Sequence, residues 1–217
     1  MSLAIFDLDN TLLNGDSDHA WGEFLCDKGI VDTEHYRQTN DYFYQQYKAG
    51  TLDIFEFLEF ALKPLTEHAP QTLERLHQEF MQTAIAPMML DKAATLLQKH
   101  RQQGDFLLII TATNRFVTGP IAAALGVDDT LATEPEQIDG RYTGKVAGTP
   151  CFQSGKVERL QAWLQQTGHT LDNSYFYSDS INDKPLLELV TYPVAVDPDE
   201  LLEQAAKEKG WPIISLR

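Results

Sequence analysis

The chain has 217 residues with 32 acidic against 17 basic side chains, a formal charge of −15 that repels nucleic acid and anionic membrane surfaces alike. Its two cysteines, Cys26 and Cys151, lack metal-type spacing. With no basic leader and no apolar run of membrane-span length, they point to a reduced, cytoplasmic protein. The length suits one medium domain or a domain carrying an insert.

The apolar run Ala4-Ile5-Phe6 predicts a buried first strand that ends in Asp7-Leu8-Asp9-Asn10-Thr11. Residues 14–88 then carry almost no β pattern. Apolar residues at helical spacing predict helices over Asp18–Lys28, stopped by Gly29, and from Asp32-Thr33 to Gly50. Two more follow, over Ile54–Leu62 before Pro64 and over Thr72 to about Ala84 before Pro87. From Leu90 the character changes: a helix to His100, a strand over Phe106–Ile110, and a helix over Phe116–Leu125. Asp139-Gly140 signals a hairpin. Next come a helix over Lys156–Gln166, a strand over Tyr175–Ser178, a helix over Lys184–Val190, a strand over Pro193–Val196 and a helix over Asp199–Lys209. Strands alternating with helices imply an α/β, doubly wound, mostly parallel sheet. Residues 1–13 and 89–217 are expected to form its core, with 14–88 as a helical cap over the crevice.

Three strand ends and one helix start carry the chemistry. Asp7 and Asp9, two apart beyond a buried strand, repel each other unless a cation joins them, and a hard divalent ion such as Mg²⁺ suits oxygen ligands. Thr111-Ala112-Thr113-Asn114 ends the Phe106 strand with a hydroxyl ahead of a helix, a pattern that suits an anion or simply caps that helix. Lys156 stands at a helix start, where the macrodipole disfavours a cation unless an anion meets it. Tyr175–Ser178 delivers Asp179, with Asp183 four residues on, as a second acidic strand end able to complete an oxygen shell.

In this order the four signals resemble the haloacid dehalogenase superfamily of phosphatases, across essentially the whole chain. Asp7-Leu8-Asp9-Asn10-Thr11 looks like its first motif, Thr111 its second, Lys156 its third, and Asp179 with Asp183 its fourth. The cap between the first and second motifs is similar to the subgroup that contains phosphoserine phosphatase. The resemblance implies that Asp7 forms an aspartyl-phosphate and that Asp9 serves as acid and then base. It implies Mg²⁺ on Asp7, the Asp9 carbonyl and Asp179, with Asp183 orienting water and Lys156. Thr111, Lys156 and the amides of Leu8, Asp9 and Ala112 would neutralise the phosphoryl oxygens. A catalytically silent binding module of this fold usually loses one of the acids, and all four are present here. A phosphotransferase would use the same residues.

The expected substrate is a small phosphate ester, chosen by the cap and by the acidic loop leading into it. In the phosphoserine enzymes an acidic residue of this loop meets the substrate ammonium, a place open here to Asp16 or Asp18. Those enzymes also carry a cap Arg for the substrate carboxylate, and the matching stretch Gly50 to Glu59 offers Glu59 instead. A Glu facing a carboxylate repels it, so the expected leaving group is cationic without a carboxylate, as in a phosphorylated amino alcohol such as histidinol phosphate, with phosphoserine the alternative. Trp21, Phe43, Tyr44, Phe55 and Phe57 are candidates for an aromatic wall, or for ordinary cap core. Arg37, Lys48 and Arg75 stand as possible carboxylate partners, and Arg115 as a contact to phosphate or substrate.

Overall fold

The protein is described by a computed structural model covering residues 2–217, so the first residue of the expected core segment 1–13 lies outside it. Its strands are β1 (Leu3–Phe6), β2 (Phe106–Asn114), β3 (Asp129–Thr133), β4 (Pro135–Ile138), β5 (Arg141–Val146), β6 (Tyr175–Ser178), β7 (Tyr192–Val196) and β8 (Ile213–Ile214). Six of them form one parallel sheet in the order β3-β2-β1-β6-β7-β8, and β4 pairs with β5 as a separate hairpin. β1 sits centrally and is buried on both faces, which is why it reads as an unbroken apolar run. The order reverses beside β1, so the crevice beyond its carboxyl end lies where an open α/β sheet binds ligands.

The helices are α1 (Ser17–Asp27), α2 (Thr33–Lys48), α3 (Ile54–Thr66), α4 (Pro70–Phe80), α5 (Asp91–Gln103), α6 (Arg115–Leu125), α7 (Ser154–Thr167), α8 (Lys184–Leu187) and α9 (Glu200–Lys209). Side chains alternate across β1. Leu3 and Ile5 join Leu108, Ile110, Leu160 and Leu202 on one face, while Ala4 and Phe6 join Leu107, Ile109, Leu97 and Ile121 on the other. That second cluster runs on without a break into Trp21, Phe24 and Leu25 of α1 and Leu76 and Phe80 of α4. A third, smaller cluster of Leu58, Leu62, Leu65 and Leu73 packs α3 against Tyr142 and Val146 of β5. Half of the inserted helices are thus fused to the sheet's own core, and α3 rests on the hairpin. The chain leaves and re-enters the sheet region side by side, through an antiparallel bridge between Leu13 and Met89.

Several boundaries differ from the sequence expectation. α3 does not stop before Pro64 but carries it in its last turn, where burial of Leu65 holds the helix together despite the missing N–H. The fourth helix runs Pro70–Phe80 and then widens into a π turn, Met81–Ile85, and a 3₁₀ turn, Ala86–Met88. The helix expected over Lys184–Val190 shrinks to Lys184–Leu187 behind a 3₁₀ turn, Ile181–Asp183. β2 runs four residues past its apolar stretch, to Asn114, because β3 pairs with that end. β3 and β8 escape sequence reading: one starts on an acidic residue, and the other is two residues long. The hairpin falls where Asp139-Gly140 places it, both residues at positive φ as the tight turn demands.

Candidate active site

β1 extends by one ladder step when the Asp7 amide donates to Tyr177 O (2.9 Å), and the chain then turns sharply. The amides of Leu12 and Leu13 both fold back on Leu8 O, and Asn10 adopts a left-handed conformation (φ 56°). This turn places Asp7 and Asp9, both nearly fully buried, at the crevice. α7 contributes from the other side. A Cβ on Gly155 would stand 2.1 Å from Pro150 O, so only glycine lets the helix begin this close and bring Lys156 inward. The Lys156 ammonium, 2% exposed, donates to Asp7 Oδ1 at 2.7 Å and lies 2.7 and 2.8 Å from the two oxygens of Asp183. Ser178 Oγ donates to Asp183 Oδ2 (2.7 Å), and Thr11 Oγ1 donates to Asp179 Oδ1 (3.1 Å).

The site therefore holds four buried carboxylates and one buried ammonium, which is bonded to Asp7 and Asp183. Burial pushes Asp7 up to about 7, against the pull of Lys156 and with the push of Asp183 and Asp9. Asp9 rises to about 6, first from burial and then from Asp16. Asp179 is held well above the usual carboxylate range by burial and by Asp7 and Asp183. Lys156 keeps its charge: burial works against it, but Asp183 and Asp7 outweigh that and raise it. Asp7 Oδ2 is buried with no hydrogen-bond partner among the described residues. An all-oxygen set with excess negative charge and an orphaned carboxylate oxygen fits a hard divalent cation better than it fits nothing.

Asp9 is held by residues that sequence reading did not single out. Its Oδ1 accepts from the Ser17 amide (2.6 Å) and its Oδ2 from Thr113 Oγ1 (2.7 Å), whereas Thr111 Oγ1 stands at 3.5 Å and accepts from the Thr113 amide. Thr111 and Thr113 share a face because β2 stays extended through both, a period-two signal hidden once the strand is taken to end at Ile110. Ala112 lines the cavity and ties its carbonyl to Thr133, and Leu8 is a fully buried pivot of the turn.

The specificity candidates divide. Asp16 and Asp18 both line the cavity, but Asp16 Oδ1 caps α1 by accepting from the amides of Asp18 and His19 (2.9 and 2.8 Å). Asp18 has the Asn114 amide at 3.4 Å and no ion-pair partner among the described residues. Glu59 is not in the cavity: it is exposed on α3 beside Lys63 and Thr143, because α3 turns Leu58 and Leu62 to the hairpin and so swings the next residue outward. Arg115 is likewise absent from it, committed to Glu134 (2.7 Å) and Thr130 O (2.5 Å) at the end of β3. Arg37 pairs with Glu23 and Asp27, Arg75 is exposed, and Lys48 lies over the Tyr44 ring. Of the aromatic candidates, Phe43, Tyr44 and Phe57 line the cavity and Tyr47 joins them; Trp21 belongs to the core, and Phe55 is 66% exposed.

A buried Asp-Asp-Lys-Asp constellation at the switch point of a parallel sheet defines the class: the chain belongs to the haloacid dehalogenase-like hydrolase family, whose model matches residues 4–188, and it is a phosphatase. Over its full length it is 47% identical to a histidinol-phosphatase of Neisseria meningitidis serogroup C (strain 8013), covering 99% of that protein. A crystal structure of a protein of unknown function from Bordetella pertussis Tohama I superposes with a TM-score of 0.94 at 45% identity, covering 100% of this chain and 99% of that one. A substrate-bound phosphoserine phosphatase shares the fold, with a TM-score of 0.73 at 17% identity over 100% of this chain and 93% of that one.

Proposed function

We propose that this phosphatase hydrolyses a small phosphomonoester whose leaving group is cationic and lacks a carboxylate, histidinol phosphate being the best fit. One observation carries the reading: Asp7, Asp9, Asp16 and Asp18, together with His19, Phe43, Tyr44, Tyr47 and Phe57, line the cavity, and among the described residues no Lys or Arg does. Lys156 is engaged by Asp7 and Asp183, so a carboxylate on the leaving group would meet only like charge. An ammonium and an imidazole meet carboxylates and ring faces instead. The name of the Neisseria relative agrees with this choice. Glu59, exposed on the outer face of α3, contributes nothing to this selectivity.

In this reading residues 1–13 and 89–217 form the catalytic core and residues 14–88 the cap, in a cytoplasmic enzyme. Asp7 attacks phosphorus and carries the phosphoryl group as an aspartyl-phosphate. Asp9 gives its proton to the departing oxygen and then takes one from the hydrolytic water. Lys156 neutralises charge on Asp7 and the transferring group, Asp183 orients Lys156, and Thr111 with the amides of Leu8 and Ala112 binds phosphoryl oxygens. Asp7, the Asp9 carbonyl and Asp179 would hold Mg²⁺, which supplies Lewis-acid neutralisation of the phosphate charge when bound.

A kinetic panel tests the assignment. Histidinol phosphate should exceed phosphoserine in kcat/KM by orders of magnitude; the reverse order would remove the charge argument.

A further inference from the structure

We propose that Thr113 is a positioning residue for the acid–base step, holding the Asp9 carboxyl in place through both halves of the reaction. The inference rests on the reading of Asp9 as the acid and base. Asp9 has two short contacts, the Ser17 amide on Oδ1 at 2.6 Å and Thr113 Oγ1 on Oδ2 at 2.7 Å. The amide can only donate and has no freedom to turn. The Thr113 hydroxyl, 5% exposed and in the cavity wall, offers one donor and two acceptor lone pairs and rotates to suit its partner. Thr111 is more distant at 3.5 Å, and its hydroxyl oxygen already accepts from the Thr113 amide. Among the described residues, the well-formed short side-chain hydrogen bond to the carboxyl comes from Thr113; the buried Ser17 hydroxyl lies beside the same carboxyl without one.

The chemistry needs such a contact. In the first half the proton on Asp9 moves to the ester oxygen as the P–O bond to the leaving group breaks and an Asp7 oxygen bonds to phosphorus. In the second half a water oxygen bonds to phosphorus, its proton passes to Asp9, and the Asp7–phosphorus bond breaks. Oδ2 keeps a lone pair for Thr113 in either state. The bond from Thr113 strengthens as the carboxyl becomes an anion, so it favours proton release and holds the rotamer while the proton is away.

The fold explains why position 113 can serve. β2 remains extended past Ile110, so residues 111 and 113 face the same side, and parallel pairing with β1 (Phe6 opposite Ile109) sets that side against the Asp7–Asp9 turn. A β-branched Thr has a restricted χ1 on a strand, which keeps the hydroxyl aimed.

The experiment compares Thr113→Val, Thr113→Ala and Thr113→Ser, with Asp9→Asn as reference, on two esters. One is an alkyl ester, histidinol phosphate or phosphoserine, whichever turns over faster. The other is p-nitrophenyl phosphate, whose departing phenolate needs no proton. The readout is kcat/KM, which reports the first half. Loss of the hydroxyl should lower kcat/KM for the alkyl ester about ten- to a hundredfold, the scale of one hydrogen bond to a charged group, and leave the aryl ester nearly unchanged. Thr113→Ser should restore the alkyl ester rate. An equal loss on both esters, or no loss on either, overturns the proposal. Val and Ala remove the hydroxyl with different volumes, so a packing defect in one is separated by the other. If Asp9→Asn itself fails to discriminate between the esters, the acid reading of Asp9 falls and the proposal with it. If Asp9→Asn discriminates and Thr113→Val does not, the proposal alone falls.

Discussion

Lys156 Nζ lies 2.7 Å from Asp7 Oδ1, an ion pair in which both side chains are less than 5% exposed. The pair is not closed on itself, because Asp183 contacts the same ammonium. Replacing Asp7 by Asn removes the proposed nucleophile but leaves Lys156 a carboxylate partner. Asp7→Asn should therefore show no measurable turnover while unfolding as cooperatively as the parent. Lys156→Met should behave differently, since it strands buried carboxylates; breaking a buried pair in this way costs about 3–5 kcal/mol. Urea unfolding of the two variants checks the contrast, and an equally stable Lys156→Met would mean the carboxyls are neutralised by bound protons without it.

The excess of buried carboxylate makes stability depend on pH, with a definite sign. Asp7 is raised from 3.8 to about 7 and Asp9 from 3.8 to about 6, chiefly by burial. The folded state thus holds protons that the unfolded chain has released. The associated stability is full below about pH 4 and is lost as pH rises through about 6 and 7. In EDTA, Tm should fall across that window, other groups held equal. Added Mg²⁺ should raise Tm most at the upper end, by about 2.7 kcal/mol of stability at a hundredfold excess over Kd. Asp179→Asn should blunt the Mg²⁺ response. A Tm that climbs with pH in EDTA would contradict the electrostatic picture, whatever the activity does.

Gly155 links a backbone constraint to the site. A Cβ there meets Pro150 O at 2.1 Å, a backbone atom that cannot swing away. Gly155→Ala should push the start of α7 outward, cost about 1–3 kcal/mol as an overpacking defect, and lower kcat by displacing Lys156. A variant with parental kcat would show that α7 can shift without its lysine.

These contrasts explain what could be read from the chain alone. Asp7, Asp9 and Asp179 were legible because each closely follows a run of buried strand, and Asp183 through its spacing from Asp179, so local pattern and site coincide. Thr113 was hidden because an edge partner, β3, extends β2 beyond its apolar residues. Glu59 and Arg115 misled for another reason: which way a helical side chain points is set by what the helix packs on. Burial of Leu58 and Leu62 against the hairpin turns Glu59 to solvent, and Glu134 draws Arg115 away from the crevice. Sequence spacing identifies the face of a helix, not the neighbour that face meets.

Asp18 and Glu59 separate the specificity argument from the motif chemistry. Asp18 is a buried carboxylate in the cavity wall whose nearest donor, Asn114, stands at 3.4 Å, and burial with Asp16 and Asp9 nearby raises it well above its ordinary range. A cationic leaving group would relieve that cost, whereas an uncharged one would not. Asp18→Asn should lower kcat/KM for histidinol phosphate about ten- to a hundredfold, the scale of one charge-assisted contact, and leave competitive inhibition by inorganic phosphate unchanged. Glu59→Gln, on the outer face of α3, should alter neither. Asp16→Asn should change stability little, since its oxygen caps α1 and an Asn retains that acceptor. If Asp18→Asn weakens phosphate inhibition as much as it slows histidinol phosphate, Asp18 acts on the phosphoryl site, and the leaving group must find its counter-charge elsewhere in the wall.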